Sequence, residues 1–551
     1  MNQVWQQNFD PLGNPVLSTI AAAIPVCSLF YLLAVRRTPA WRAAIYSFAI
    51  GILVALAVFR MPVRMAAGAV ADGLVYGWLR IAWILVAAVF VYDISVETKQ
   101  FEIIKQSIGG ISGDRRLQVL LIAFAFGAFL EGAGGAGAPV AVTGAMLIGL
   151  GFPPMQTALV CLIANSVPVA FGGLGNPVRT LVAVTGLPEA DFSAMIGRLL
   201  AIVILILPFW LMRVLCKARA AAAVWPGLLV AGVTAAGLQF LWSNYMDASL
   251  VNIVSGLGTL LVLAFFFGKV WHPRETWRYP GEPAAPVVAH ADRLGFRRVF
   301  LAWSPFLIVS ALVVLWGAPP VARVLERTSW KPPVPGLHLL VMRMPPVTAK
   351  PFAESALFDF SWLATPGTAA FLAGLIAGPL LGLSIKRTIE IFLKCCWRIR
   401  LSVAAIMAML GLGYLTRYCG MDATLGMAMS HTGVLFPFFG TLIGWLGVAL
   451  SGTDAGSNAL FGSFQAITAN RLGLSPILMG AANSAGGVMG KMVAAQSLVI
   501  AAAVTGQDGK EGIIFRAVLK HSLGLAMLVG LIVMMYAYLF PGAIPSGHRY
   551  W

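Results

Sequence analysis

Three ionisable residues lie within long apolar stretches of this sequence, and their chemistry suits a site for a proton and an anion. They are Glu131, Asp454 and Lys491. An ionisable group inside a membrane span is costly, so each one indicates a candidate functional site. A buried carboxyl group can hold a proton near neutral pH, which makes Asp454 and Glu131 candidates for proton coupling. A lysine beside the N-termini of helices can hold a carboxylate.

Each of these residues also has a structural interpretation. Lys491 can form an ion pair with Asp454 or Glu131, and Glu131 can make a structural hydrogen bond or cap a helix. Asp454 is the better proton-carrier candidate, because Thr453 and Ser457 flank it with hydrogen-bond donors. The residue types alone leave these alternatives open.

Uncharged polar residues gather near the same three positions, in segments rich in Gly and Pro. The two segments EGAGGAGAP at 131–139 and SGTDAGSN at 451–458 disfavour regular helix. Within lipid, irregular backbone persists only where it is buried or lines a cavity. Close helix packing explains the glycines but not the polar residues beside them. We therefore predict a substrate-binding cavity lined by Lys491, Asn176, Asn458, Asn483, Asn165, Ser457 and Gln496.

The composition requires a membrane to position these residues. Of 551 residues, 59% are hydrophobic and 11% are charged, whereas soluble domains carry roughly 25% charged residues. Apolar runs of membrane-spanning length recur along the chain. The fold class is therefore an all-α polytopic membrane protein with about 11–14 transmembrane helices, and a soluble enzyme is excluded. Some runs, at 117–131, 138–151 and 457–470, are too short to cross and are predicted to be half-helices or re-entrant arms.

The basic residues indicate orientation rather than a nucleic-acid partner. The formal net charge is +17, but Lys and Arg occur in short clusters between apolar runs, as the positive-inside rule predicts for cytoplasmic loops. The segment before the first span has no Lys or Arg, which places the N-terminus outside. Neither metal-ligand spacing nor a nucleophile–base motif occurs in the spans, so we predict no metal, no cofactor and no enzyme activity.

Two distant regions resemble each other. Gly127 and Gly447 are 320 positions apart, as are the AVTG segments at 183–186 and 503–506, and the two ANS triplets differ by 318. Repeats with corresponding Gly- and Pro-interrupted segments indicate the binding site of a transporter. We expect an N-terminal repeat over 1–268, with a hairpin tip at 131–139 and a broken helix at 155–186. A connector over 269–366 has one span near 299–318, and a C-terminal repeat over 367–551 has a tip at 451–458 and a broken helix at 475–503.

At these motifs the sequence resembles the L-lactate permease family, which includes glycolate permeases. The resemblance runs nearly end to end. It is found in WQQNFDPLGN, in VAAVFVYDISVETKQFEII, in GAFLEGAGGAGAPVAVTGAMLIGLGF, in PVAFGGLG, in MPPV, in GWLGVALSGTDAGSNALF and in AANSAGGVMGKM. It implies a secondary active transporter that takes up lactate and related 2-hydroxy monocarboxylates such as glycolate. The resemblance also implies proton symport across the bacterial cytoplasmic membrane by alternating access, in a fold of two inverted repeats.

The sequence departs from the common family pattern at two places near the predicted site. Family members commonly read EGAAGFGAP at the first hairpin, where this chain has Ala136. They commonly read SPQS after the lysine, where this chain has AAQS at 494–497. These changes leave the preferred acid open. A carrier for another small carboxylate, a sodium-driven carrier, a passive channel and the oligomeric state also remain open from sequence.

Overall fold

The fold is described from a computed structural model of the chain. It describes residues 4–36, 38–109, 111–135, 137–279, 295–345, 347, 350–507 and 510–545. Ala136, one of the two departures from the family pattern, lies outside the described residues.

Helices account for nearly all of the regular structure. The helices of the N-terminal half are α1 (Pro15–Phe30), α2 (Ala40–Ala57), α3 (Val63–Tyr76), α4 (Trp83–Glu97), α5 (Gln100–Gly109), α6 (Arg115–Val119), α7 (Gly127–Ala133), α8 (Ala138–Gly149), α9 (Pro154–Ala164), α10 (Gly172–Thr185), α11 (Glu189–Leu215), α12 (Ala218–Ala222), α13 (Trp225–Tyr245) and α14 (Val251–Phe265). The helices of the C-terminal half are α15 (Phe296–Gly317), α16 (Pro319–Glu326), α17 (Pro366–Leu380), α18 (Ile385–Cys419), α19 (Met421–Met429), α20 (Phe436–Ser451), α21 (Asp454–Arg471), α22 (Pro476–Gly490), α23 (Ala495–Val504) and α24 (Glu511–Tyr538).

The helices are long and apolar enough for a multi-pass membrane protein. In the described part of the chain, 11 helices could cross a membrane, or up to 12 if a bent pair counts as one span. Wide π-helical turns join some of the shorter helices into one span, as at Leu120–Phe126 between α6 and α7. The resulting helix, Arg115–Ala133, is long enough to cross a membrane, so the prediction that the run at 117–131 is too short was wrong in length. The prediction of an all-α polytopic protein is confirmed, and the number of spans falls within the predicted range.

A small sheet joins the N-terminus to the long connector. Strand β1 (Trp5–Gln6) pairs in parallel with β2 (Val341–Arg343), which pairs antiparallel with β3 (Phe352–Ala353). The N-terminus and the 319–365 loop therefore lie on one side of the protein.

The predicted cytoplasmic loops also contact one another. The Arg116 guanidinium forms an ion pair with Asp114 and donates to the backbone carbonyls of Ala220, at 2.8 Å, and Glu275, at 3.0 Å. Three basic segments that are far apart in sequence thus meet on one side.

Glycine sets how closely the helices around the site approach. Helices α20 and α22 pack against each other along much of their length. A methyl group at Gly444 would overlap the backbone of Asn483, and one at Gly486 would overlap the carbonyl of Thr441. Small residues at such crossings let two helix backbones come close together.

Two of the described helical segments are interrupted beside glycine-rich stretches. Between α9 and α10 a 3₁₀ turn (Val167–Phe171) is followed by left-handed backbone at Gly173, Leu174 and Gly175, with φ of 51°, 58° and 75°. Between α22 and α23 the chain bends by 42° after a short 3₁₀ turn at Lys491–Val493. The inverted relation of the two repeats stays a prediction.

Candidate functional site

The second hairpin tip is a turn of two residues, narrower than the predicted irregular segment. Helix α20 ends at Ser451, and Gly452 adopts a left-handed conformation, with φ of 79°. The Thr453 hydroxyl then accepts a hydrogen bond from the Gly456 amide at 3.0 Å, which caps α21. Asp454 is therefore the first residue of a regular helix.

Asp454 is buried and bonded to the second broken segment. Its Oδ2 accepts hydrogen bonds from the Ser484 hydroxyl and from Asn458 Nδ2, the latter at 3.4 Å. Its Oδ1 has no hydrogen-bond partner among the described residues. The carboxyl group thus has one oxygen held in place and one oxygen free to bind a proton or a ligand.

The amide groups of the C-terminal half bond mainly to one another. Asn483 Nδ2 donates to Asn458 Oδ1 at 2.9 Å and lies 3.4 Å from Ser457 Oγ. Gln465 Nε2 in turn donates to the Gly440 carbonyl at 2.7 Å and lies 3.3 Å from Asn483 Oδ1. Sequence reasoning missed Gln465, although a lone polar residue seven positions after Asn458 lies on the same helix face.

Asn458 also joins the two halves of the protein. Its Nδ2 donates to the carbonyl of Pro177 in α10 at 3.1 Å. The second hairpin is therefore bonded directly to the first broken segment.

Lys491 occupies the bend between α22 and α23. It is 5% exposed, and its Nζ donates to the Gly452 carbonyl at the second hairpin tip at 2.6 Å. The ammonium also interacts electrostatically with the carboxylates of Glu131 and Asp454. One buried cation therefore faces two buried acids.

Glu131 lies near the end of α7, and α7 contacts the irregular segment between α9 and α10. Its carboxylate contacts Gly172, where any side chain would overlap Oε1. The amide of Asn165 lies beside it and acts on the carboxylate as a long hydrogen-bond donor. In the part of the chain that is described, Glu131 Oε2, Asn176 Oδ1 and both polar atoms of the Asn165 amide have no hydrogen-bond partner.

Arg179 stabilises the first break, which is the irregular segment 167–175 between α9 and α10. Its guanidinium donates to the carbonyl of Leu174 at 2.6 Å and to Ser249 Oγ at 2.9 Å. It also forms ion pairs with Glu189 at 2.9 Å and Asp247 at 3.3 Å. These bonds hold Leu174 in the left-handed conformation that a residue with a β-carbon rarely adopts.

The structure therefore brings together most of the predicted site residues, but not all of them. Glu131, Asn165 and Asn176 line the first break, and a second group surrounds Asp454 at the second tip. Gln496 differs, because it is exposed on α23, although its amide lies near Gly452.

Comparison with known proteins agrees with the resemblance seen in the motifs. Residues 18–540 match the family model described as L-lactate permease. The chain is 41% identical to the glycolate permease of Escherichia coli over 98% of this chain and 100% of that protein. It is 42% identical to the L-lactate permease of Escherichia coli with the same coverage. Among solved structures, the YdaH transporter of Alcanivorax borkumensis matches with a TM-score of 0.47 and 13% identity, covering 91% of this chain and 100% of that one.

Proposed function

This chain belongs to the L-lactate permease family, and we propose that it takes up lactate and related 2-hydroxy monocarboxylates, such as glycolate, by proton symport. Members of the family are permeases, so the chain is a transporter and not an enzyme. Its apolar helices make it a multi-pass protein of the bacterial cytoplasmic membrane. The proposal concerns the substrate, the coupling ion and the residues that bind them.

The observation that carries the proposal is the buried arrangement of Glu131, Asp454 and Lys491. Adding a monoanion to such a site would add one uncompensated charge within the membrane, which is costly. Whatever the protonation state of the empty site, one proton per anion leaves its net charge unchanged. The unpartnered oxygens Glu131 Oε2 and Asp454 Oδ1 are both available to take that proton.

Lys491 attracts the substrate carboxylate to this site. The two buried acids repel an entering anion, and the Lys491 ammonium opposes that repulsion. The N-terminus of α21 lies at the same tip and adds the positive end of its helix dipole. Asn165 and Asn176 contribute unpartnered atoms for further hydrogen bonds. The polar groups of Asn458, Asn483 and Ser457 already bond one another, so these residues stabilise the shape of the site.

The position of the site at hairpin tips and helix breaks supports alternating access. The acids and the lysine sit at two hairpin tips and two helix breaks, which meet through the Asn458–Pro177 hydrogen bond. A carrier can expose such a site to either side by moving these segments together against the remaining helices.

The test is uptake of labelled L-lactate into proteoliposomes in sodium-free buffer, started by an inward pH gradient. We expect accumulation that competing glycolate inhibits and that acetate inhibits more weakly, with pyruvate as a further competitor. Uptake that requires sodium would contradict proton coupling. Failure of both lactate and glycolate to be transported would contradict the proposed substrate class.

A further inference from the structure

We propose that Asn165 recognises the 2-hydroxyl group of the substrate and thereby selects 2-hydroxy acids over the corresponding deoxy acids. This role rests on the proposed function. It assigns one chemical group of the substrate to one residue of the site.

Asn165 differs from the other buried polar residues in what it leaves unsatisfied. It is 3% exposed, at the end of α9 where the first break begins. Within the described ranges it is the only residue with two buried side-chain polar atoms, the donor Nδ2 and the acceptor Oδ1, that both lack a hydrogen-bond partner of normal length. A buried amide with neither atom bonded is unfavourable, so a bound ligand that satisfies both atoms gains binding energy.

A hydroxyl group is the part of a 2-hydroxy acid that can satisfy both atoms. It donates one hydrogen bond and accepts others, whereas an ionised carboxylate only accepts. A hydroxyl at this place can donate to Asn165 Oδ1 and accept from Nδ2. Asn458 and Asn483 differ because they bond each other, and of the Asn176 amide only Oδ1 is both buried and without a partner.

The position of Asn165 also matches the shape of the substrate. Asn165 follows α9, and α9 contacts the 3₁₀ turn that begins at Lys491; both side chains also act on the carboxylate of Glu131. In a 2-hydroxy acid, the hydroxyl is on the carbon next to the carboxylate. One molecule can therefore place its carboxylate toward Lys491 and its hydroxyl toward Asn165.

The competing interpretation is that Asn165 only supports Glu131. The Asn165 amide is close enough to act on the Glu131 carboxylate as a long hydrogen-bond donor, although the two side chains are too far apart for a hydrogen bond of normal length. A purely supporting amide would affect all monocarboxylates alike, whereas a hydroxyl-binding amide affects only those that carry the hydroxyl. This difference makes the two interpretations separable.

The experiment compares L-lactate with propionate, which has the same carbon skeleton without the hydroxyl. Competitive inhibition of labelled L-lactate uptake is measured in proteoliposomes for the unaltered protein, for Asn165→Ala and for Asn165→Ser. We expect the unaltered protein to prefer lactate by about tenfold or more, since a site built to bond a hydroxyl rejects an analogue without one. Asn165→Ala should reduce that preference to about threefold or less by weakening lactate binding, and Asn165→Ser should retain part of it, because serine keeps a donor and an acceptor.

A matched control and a second readout make each outcome decisive. Asn244→Ala removes another buried amide, one that bonds Phe240 and Arg198 away from the site, and should leave the preference unchanged. Where a variant transports too slowly, the rise in melting temperature caused by each acid in detergent gives the same comparison. Equal weakening of lactate and propionate in Asn165→Ala, or no preference in the unaltered protein, would overturn the assignment. Absence of both lactate and glycolate uptake in the unaltered protein would instead overturn the proposed function.

Discussion

Lys491 combines two tasks that the residue type alone could not separate. Its ammonium bonds the carbonyl of Gly452 and also faces two acids. Among the described residues Lys491 makes no direct ion pair with either acid, so its charge stays available to attract an anion. In the proposed mechanism the hydrogen bond holds the lysine at the second tip, and the remaining charge attracts the substrate.

The first prediction concerns the charge of this lysine. Lys491→Met keeps much of the side-chain volume but leaves an entering anion opposite two acids without a cation. We expect L-lactate uptake to fall by about tenfold or more, as expected when one partner of a buried charge cluster is removed. Labelled uptake in proteoliposomes, normalised to inserted protein, measures it.

The exposed Lys394 on α18 supplies the control. Lys394→Met removes the same charge far from the hairpin tips and should leave uptake unchanged. Unaltered uptake in Lys491→Met would show that the lysine has no part in anion binding.

The two acids differ in how they are held, and this supports a second prediction. Asp454 Oδ2 accepts hydrogen bonds from Ser484 and Asn458, whereas Glu131 has only the amide of Asn165 beside it. Each acid keeps one oxygen, Asp454 Oδ1 or Glu131 Oε2, without a partner among the described residues. Asp454→Asn and Glu131→Gln each remove a titratable group while keeping a polar side chain of similar size. We expect at least one of them to abolish accumulation driven by a pH gradient and to retain exchange of internal for external lactate, which requires no net proton movement.

The readouts are gradient-driven uptake and counterflow in the same proteoliposomes. A variant that loses both has lost binding or folding rather than coupling. If both variants still accumulate lactate in response to the pH gradient, neither acid carries the proton.

At the scale of elements, the close crossing of α20 and α22 fixes the relation of the second tip to the second break. Gly486 lies at this crossing, and a methyl group there would overlap the Thr441 carbonyl. Because a backbone atom cannot move aside cheaply, Gly486→Ala must separate the helices. We expect destabilisation of about 1 to 3 kcal/mol, the usual cost of overpacking, seen as a lower melting temperature in detergent.

Gly237 is the matched position for this third prediction. It lies in α13, is exposed, and has no atom within 4 Å of an added β-carbon. Gly237→Ala should be neutral or stabilise by up to about 1 kcal/mol, because alanine favours helix over glycine. Equal effects of the two substitutions would show that glycine acts through helix propensity and not through the crossing.

The elements also show how far sequence could predict the site. The hairpin tip at 131–139 and the broken helix at 475–503 could be predicted because clustered glycine and proline disfavour helix in a chain that must otherwise satisfy every backbone group. The early start of α21 at Asp454 could not, since it depends on the Thr453 cap. Equally, the bonding of Asn458 to Asn483 depends on how α21 and α22 pack.

Some residue roles depend on tertiary position in ways that no local pattern records. From sequence, Arg179 could contact an anion or lie at the membrane interface; in the structure it bonds the first break, Glu189 and Asp247. Gln496 is predicted to line the cavity because polar residues cluster at the helix breaks, yet the turn of the chain after Val493 leaves it exposed. Both outcomes were decided by the path of the backbone.

At the scale of the whole molecule, the candidate site lies between two faces of the protein. Contacts between distant segments stabilise each face. On one face the N-terminal strand pairs with the 319–365 loop, and Arg417 of α18 joins that loop through Glu354 at 3.2 Å. On the other face Arg116 bonds the loops that the basic clusters assign to the cytoplasm. Between them the hairpins and breaks surround buried charges, which is the arrangement a carrier with one central site requires.

The central claim is that one proton accompanies each monocarboxylate through this site, and its most direct test is their simultaneous flux. Proteoliposomes containing a pH-sensitive dye and no sodium are given external L-lactate at zero membrane potential, and labelled lactate entry and internal acidification are recorded together. The charge balance among Glu131, Asp454 and Lys491 predicts one proton per lactate, with no dependence of the rate on an imposed potential. Lactate entry without acidification beyond that of protein-free vesicles, or a rate that follows the membrane potential, would contradict it.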